Sequence, residues 1–105
     1  MIWLAVLVLL APPPPRRHVV EIRGMAFHPA VLTVAPGDTV VWINRDVVPH
    51  SATTAGGGGP RWDTGELQQG QDGRYVPHRA GEAPYVCTLH PTMQGKLIIQ
   101  GEEKP

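Results

Sequence analysis

Ala35-Pro36-Gly37-Asp38-Thr39-Val40-Val41-Trp42-Ile43-Asn44 is a turn followed by a strand, and its reading sets the fold class of the chain. Pro36 presets φ for the first central position of a type II turn, and Gly37 is free to take the positive φ that the second position needs. The turn should reverse the chain tightly and join Val31–Val34 to Thr39–Asn44. In the second run Val40 and Trp42 face one way and Val41 and Ile43 the other. Apolar side chains on both faces predict a strand in the middle of the molecule. Outward from it, β-branched runs bounded by Gly, Pro and Asp predict further strands at residues 18–23, 51–54, 73–77, 84–88 and 96–100. Short strands at this spacing predict an all-β fold, a two-layer antiparallel sandwich or barrel. Trp42, Trp62, Phe27 and Tyr85 are the expected core aromatics, with Met25 as core filler. Residues 55–60 hold four consecutive glycines and read as an exposed loop. No Lys-Ser/Thr follows them, which excludes a phosphate-binding loop.

The chain has 105 residues, which bounds it to one domain. Nine Lys plus Arg balance nine Asp plus Glu with no block of either sign, so the footprint of a nucleic-acid binder is missing. Twelve Gly and twelve Pro leave few windows long enough for a helix. Residues 2–11 form an unbroken apolar run, too short to span a bilayer as a helix and of the length of a signal-peptide core. No Lys or Arg precedes it, and Pro12 after Ala11 makes a poor cleavage junction. Residues 1–17 are therefore expected to be either a signal-peptide-like leader or a retained anchor with a stiff Pro-rich spacer, ahead of a domain at 18–105. Export to the periplasm or another extracytoplasmic compartment follows, with residues 2–11 as a membrane tether if they are kept.

Cys87 is the one cysteine, so no intrachain disulfide forms and the thiol needs another role. It lies in Tyr85-Val86-Cys87-Thr88-Leu89-His90-Pro91-Thr92-Met93-Gln94-Gly95-Lys96, where Cys, His and Met recur every three residues. A short loop can curl all three around one point. His50 follows Pro49, 37 residues earlier, where the strand Thr39–Asn44 has run out. A thiolate, two imidazoles and a thioether are a soft set that suits copper, since Met is a poor ligand for Zn, Mg or Ca. Cys-x-x-His alone is weak evidence for a metal; Met93, Pro49-His50 and the strand ending at Asn44 add independent weight. His18, His28 and His78 read as surface or edge residues. A Cys87–His90 nucleophile pair would lack an oxyanion loop and an orienting carboxylate, and would leave Met93 without a role.

These stretches resemble the cupredoxins, and within them the amicyanin-type and plastocyanin-like proteins. The family pattern Gly-Asp-x-Val-x-Trp-x-Asn, then Pro-His, then Cys-x-x-His-x-x-Met appears as Gly37 to Asn44, Pro49-His50 and Cys87 to Met93. The resemblance covers about residues 18–101 and implies a Greek-key two-sheet β-sandwich. It implies one type 1 copper with His50, Cys87 and His90 as equatorial ligands and Met93 as the axial one, and a chain that carries single electrons and is no enzyme. It makes the ring edge of His90 the electron port, with Pro49, Leu89 and Pro91 as a small apolar docking patch. The implied partners are redox proteins such as a c-type cytochrome or a dehydrogenase, met transiently by a monomer. Ser51 stands where several members of the family have Asn, a residue that ties the Cys loop to the first-His loop. Multicopper oxidases and nitrite reductases share the fold, but His flanks their Cys, and here Val86 and Thr88 do. A periplasmic copper carrier or storage protein using the same residues is the alternative.

Overall fold

The β-branched runs fold into eight strands and no helix across the described residues of the computed structural model, which are 2–7, 11 and 13–103. The strands are β1 (Arg17–Arg23), β2 (Ala26–His28), β3 (Val31–Val34), β4 (Thr39–Asn44), β5 (Thr53–Thr54), β6 (Asp72–Tyr75), β7 (Gly81–Cys87) and β8 (His90–Ile99). They form two four-stranded sheets, in the orders β2-β1-β4-β6 and β3-β8-β7-β5. β4 lies inside its sheet, as its two apolar faces predict.

The expected all-antiparallel pairing is corrected: β1 runs parallel to β4, and β3 runs parallel to β8, so both sheets are mixed. The cause lies in the turn at 35–38. It closes as read, with Asp38 N donating to Ala35 O at 3.0 Å and Gly37 at φ 91. It is an arch between sheets, however, and not a hairpin. Val34 on one side and Val40 and Trp42 on the other are all buried, and an arch lets them face each other across the layers. Chain crossings of this kind give the Greek-key sandwich.

Phe27, Trp42, Trp62 and Tyr85 fill the core as expected. Trp62 stacks on Trp42 and on Tyr75, each at 4.8 Å, and Phe27 meets Tyr85 edge-on at 4.7 Å. The ring of Tyr85 lies over its cross-strand partner Gly95, where any Cβ would collide with it. Met25 is not core filler. It is 44% exposed in the two-residue turn Gly24-Met25 between β1 and β2, where both residues have positive φ (58 and 60). His78 is exposed, His28 is half-buried with Nε2 3.1 Å from Arg23 O, and His18 sits 2.8 Å from Asp38. The described apolar residues near the start, Ile2, Trp3, Leu4, Val6 and Leu7, are exposed. Residues 1, 8–10 and 12 of the expected leader lie outside the described residues. Among the described residues no helix is long and apolar enough to cross a membrane.

Candidate metal centre

β7 and β8 pair in regular register from Gly81↔Ile99 to Val86↔Gln94, and then the register breaks. Cys87 pairs with His90, so one step along β7 spans four positions of β8. Pro91, Thr92 and Met93 are the excess, a bulge that turns the strand end inward. Cys87 and Met93 are buried in the core as a result, while His90 is only half-buried. His50 reaches the same place from the other sheet. Asn44, at the end of β4, donates from Nδ2 to Val48 O at 2.9 Å and to Leu67 O at 2.8 Å, and so shapes the loop that follows. His50 itself exchanges backbone hydrogen bonds with Leu67, and its side chain is fully buried.

The side chains converge. Cys87 Sγ lies 3.7 Å from His50 Nδ1 and 3.8 Å from His90 Nδ1. The donor atoms of the three residues fall within 4.8 Å of one another, and the two imidazole rings meet at 5.0 Å. A thiol facing two imidazole nitrogens at these distances, with the buried thioether of Met93 three residues past His90, suits a thiophilic ion of low coordination number. The matching family model, for copper binding proteins of the plastocyanin/azurin family, covers residues 17–100. The chain belongs to this family.

Amicyanin from Paracoccus denitrificans is 36% identical to this cupredoxin over 84 residues, covering 78% of the chain and 64% of the relative. The chain thus spans less than two thirds of the amicyanin's length. A plastocyanin from Synechococcus sp. (strain JA-2-3B'a(2-13)) is 30% identical over 114 residues, covering 93% of the chain and 84% of the relative. Among solved structures, a reduced amicyanin variant superposes with a TM-score of 0.73 at 34% identity, covering 79% of this chain and 81% of that one. A copper-containing nitrite reductase from Thermus scotoductus SA-01 gives 0.77 at 29% identity, covering 94% of this chain but 25% of the enzyme. The cofactor of this cupredoxin is copper, as one type 1 ion.

Two residues, Ser51 and Asp46, brace the site from outside the ligand set. Ser51 does tie the two loops together: its Oγ accepts from Thr88 N at 3.0 Å and lies 3.0 Å from Thr88 Oγ1, while its N–H donates to Cys87 Sγ at 3.3 Å. The shorter hydroxyl does the work expected of Asn. Asp46 was invisible to the reading of the sequence. Its Oδ2 lies 2.9 Å from His50 Nε2. Burial pushes its carboxyl up, but hydrogen bonds from Met25 N, His50 and Gly24 N outweigh that and hold it below the ordinary carboxylate value. A carboxylate four residues ahead of a candidate ligand, in the loop leaving a central strand, was the available signal.

Proposed function

We propose that this cupredoxin is a small carrier of single electrons, with His50, Cys87 and His90 as equatorial ligands of its copper and Met93 as the axial one. The observation that carries the reading is the convergence of Cys87 Sγ with the Nδ1 atoms of His50 and His90 at 3.7 and 3.8 Å. When bound, copper supplies the Cu(II)/Cu(I) couple at a trigonal thiolate site. The protein's part is to hold four side chains still. His50 is pinned by backbone bonds to Leu67, and Cys87 by the sheet and by Ser51 N. A framework held this way changes little between redox states, and a fully buried His50 is a poor design for releasing a metal to a client. That weighs against the carrier or storage alternative.

His90 is the imidazole that reaches solvent, so it is the electron port. Its exposed neighbours Leu89 and Pro91 give apolar surface for brief encounters with a redox protein such as a c-type cytochrome or a dehydrogenase. Val86 and Thr88 flank Cys87 where a second copper centre would need histidines, so the chain acts as a carrier and not as an enzyme domain. Residues 1–17 serve export, as a signal-peptide-like leader or, through residues 2–11, as a tether, and place the domain in the periplasm or another extracytoplasmic space.

An optical spectrum of the Cu(II)-loaded chain tests the reading. An intense blue thiolate-to-copper band is expected; Cys87→Ser should abolish it, and Met93→Leu should keep it while raising the reduction potential. A colourless protein, or a blue Cys87→Ser variant, overturns the assignment. Rapid surrender of the metal to a strong Cu(I) chelator would favour the carrier instead.

A further inference from the structure

His50 faces two ways. Its Nδ1 lies 3.7 Å from Cys87 Sγ, and its Nε2 lies 2.9 Å from Asp46 Oδ2. With a metal on Nδ1, the ring proton must sit on Nε2, and in a fully buried ring that N–H needs an acceptor. Asp46 is placed to be it. The carboxylate is also held from outside the site: Oδ1 accepts from Gly24 N at 2.8 Å, and Oδ2 accepts from Met25 N at 2.9 Å. Its own N–H donates to Asn44 Oδ1 at 2.9 Å. Met25 has φ 60, a conformation that costs a non-glycine residue energy, and its bond to Asp46 helps to hold it there. The β1–β2 turn therefore serves as a backbone clamp that aims one carboxylate at one imidazole.

We propose that Asp46 is a positioning residue of the copper centre, whose clamped carboxylate orients His50 and enriches its imidazole in electron density, biasing the centre toward Cu(II). This rests on the reading of the site as type 1 copper. The physics is that of a carboxylate–histidine–metal triad. A negative acceptor polarises the Nε2–H bond and raises the basicity of Nδ1, and a more basic nitrogen favours the more highly charged ion. A neutral acceptor in the same place would polarise the bond less. Solvent screening is limited, because the Asp46 side chain is 18% exposed and the imidazole it faces is fully buried.

The test compares the copper-loaded chain with its Asp46→Asn and Asp46→Ala variants. Asn keeps an acceptor oxygen without the charge, and Ala removes both. The preference for Cu(II) over Cu(I) should fall about tenfold in Asp46→Ala, an upward shift of ~59 mV for a one-electron couple, with Asp46→Asn between. Unchanged potentials in two blue variants overturn the role of Asp46 and leave the electron-carrier reading intact. A chain with no blue band overturns both. If the variants do not fold, NMR of the unaltered Cu(I) protein decides: an exchange-protected, downfield His50 Nε2–H supports the proposal, and a fast-exchanging or unshifted one overturns it.

Discussion

Asp38 and Asp46 flank β4 at its two ends and are built alike. Asp38 accepts from Arg16 N at 2.9 Å and Ala35 N at 3.0 Å and faces His18 Nε2 at 2.8 Å. Asp46 accepts from Gly24 N and Met25 N and faces His50 Nε2. Each therefore ties one end of β1 to one end of β4 and carries one imidazole. The difference is what the far side of each ring meets. His50 turns its other nitrogen to Cys87, whereas the His18 side chain is 21% exposed and belongs to no cluster of metal-binding groups among the described residues. The same device is structural at one end and joined to chemistry at the other, so a carboxylate–imidazole pair takes its function from the ring's second contact.

The sharpest way to break this comparison is Asp38→Ala. It should destabilise the protein by about 2 kcal/mol, because two backbone donors and His18 lose a buried acceptor. Denaturant titration gives that loss, and voltammetry should show the copper potential unmoved; a shifted potential would mean that the two ends are not distinct. Acid sharpens the point. Burial pushes the Asp38 carboxyl up, but the Arg16 and Ala35 amides and His18 outweigh it and hold it below 3.8. A carboxyl depressed in the folded state stabilises the fold above its unfolded value, and that contribution is lost as pH falls below 3.8 through the folded value. Asp46 acts in the same direction, so melting temperature should drop over this window and drop less steeply in Asp38→Asn.

A smaller effect is expected at the link between the two metal-site loops. Ser51→Ala removes the acceptor of Thr88 N and should lower stability by about 1 kcal/mol, with Ser51→Asn restoring most of it. No recovery in Asn would mean that the hydroxyl's size matters and not its hydrogen bond. The smallest effect belongs to Tyr85. Burial pushes its phenol up to about 12, and among the described residues neither its Oη nor the Trp42 indole nitrogen has a hydrogen-bond partner. Tyr85→Phe should change stability by about 0.5 kcal/mol or less, measured by the same titration, since a buried hydroxyl without a partner contributes little. A loss of several times that would show the phenol to be paired.

Where local patterning decides the structure, the sequence was readable. β3 and β4 were expected residue for residue, because β-branched alternation and the Pro36-Gly37 turn act within a few positions. The convergence of His50, Cys87 and His90 was legible from their side-chain chemistry. What escaped was set by contacts distant in sequence. β2 has three residues and exists because the Gly24-Met25 turn folds it onto β1. β7 begins at Gly81, and not at 84 as expected. Pro84 O accepts from Ala55 N, so the missing N–H of Pro84 faces the β5 side and costs no bond to β8. β8 begins at His90 and not at 96, because its first residues are held by the metal-site bulge. Asp46 escaped for the same reason: its partners, Gly24 and Met25, lie more than twenty positions earlier.

The two parallel pairings set an order on folding. Arg17 pairs with Thr39, and Val31 with Lys96, so each sheet must join segments that no single turn can bring together. The entropy of closing such loops falls due before most of the contacts that offset it exist. The sheet that carries Cys87 cannot be completed until the last strand is present, since Lys96, Leu97, Ile98 and Ile99 bridge β3 to β7. A nascent chain ending short of Lys96 leaves β3 without its partner, so the sheet that frames the copper ligands is complete only when the C-terminal strand docks.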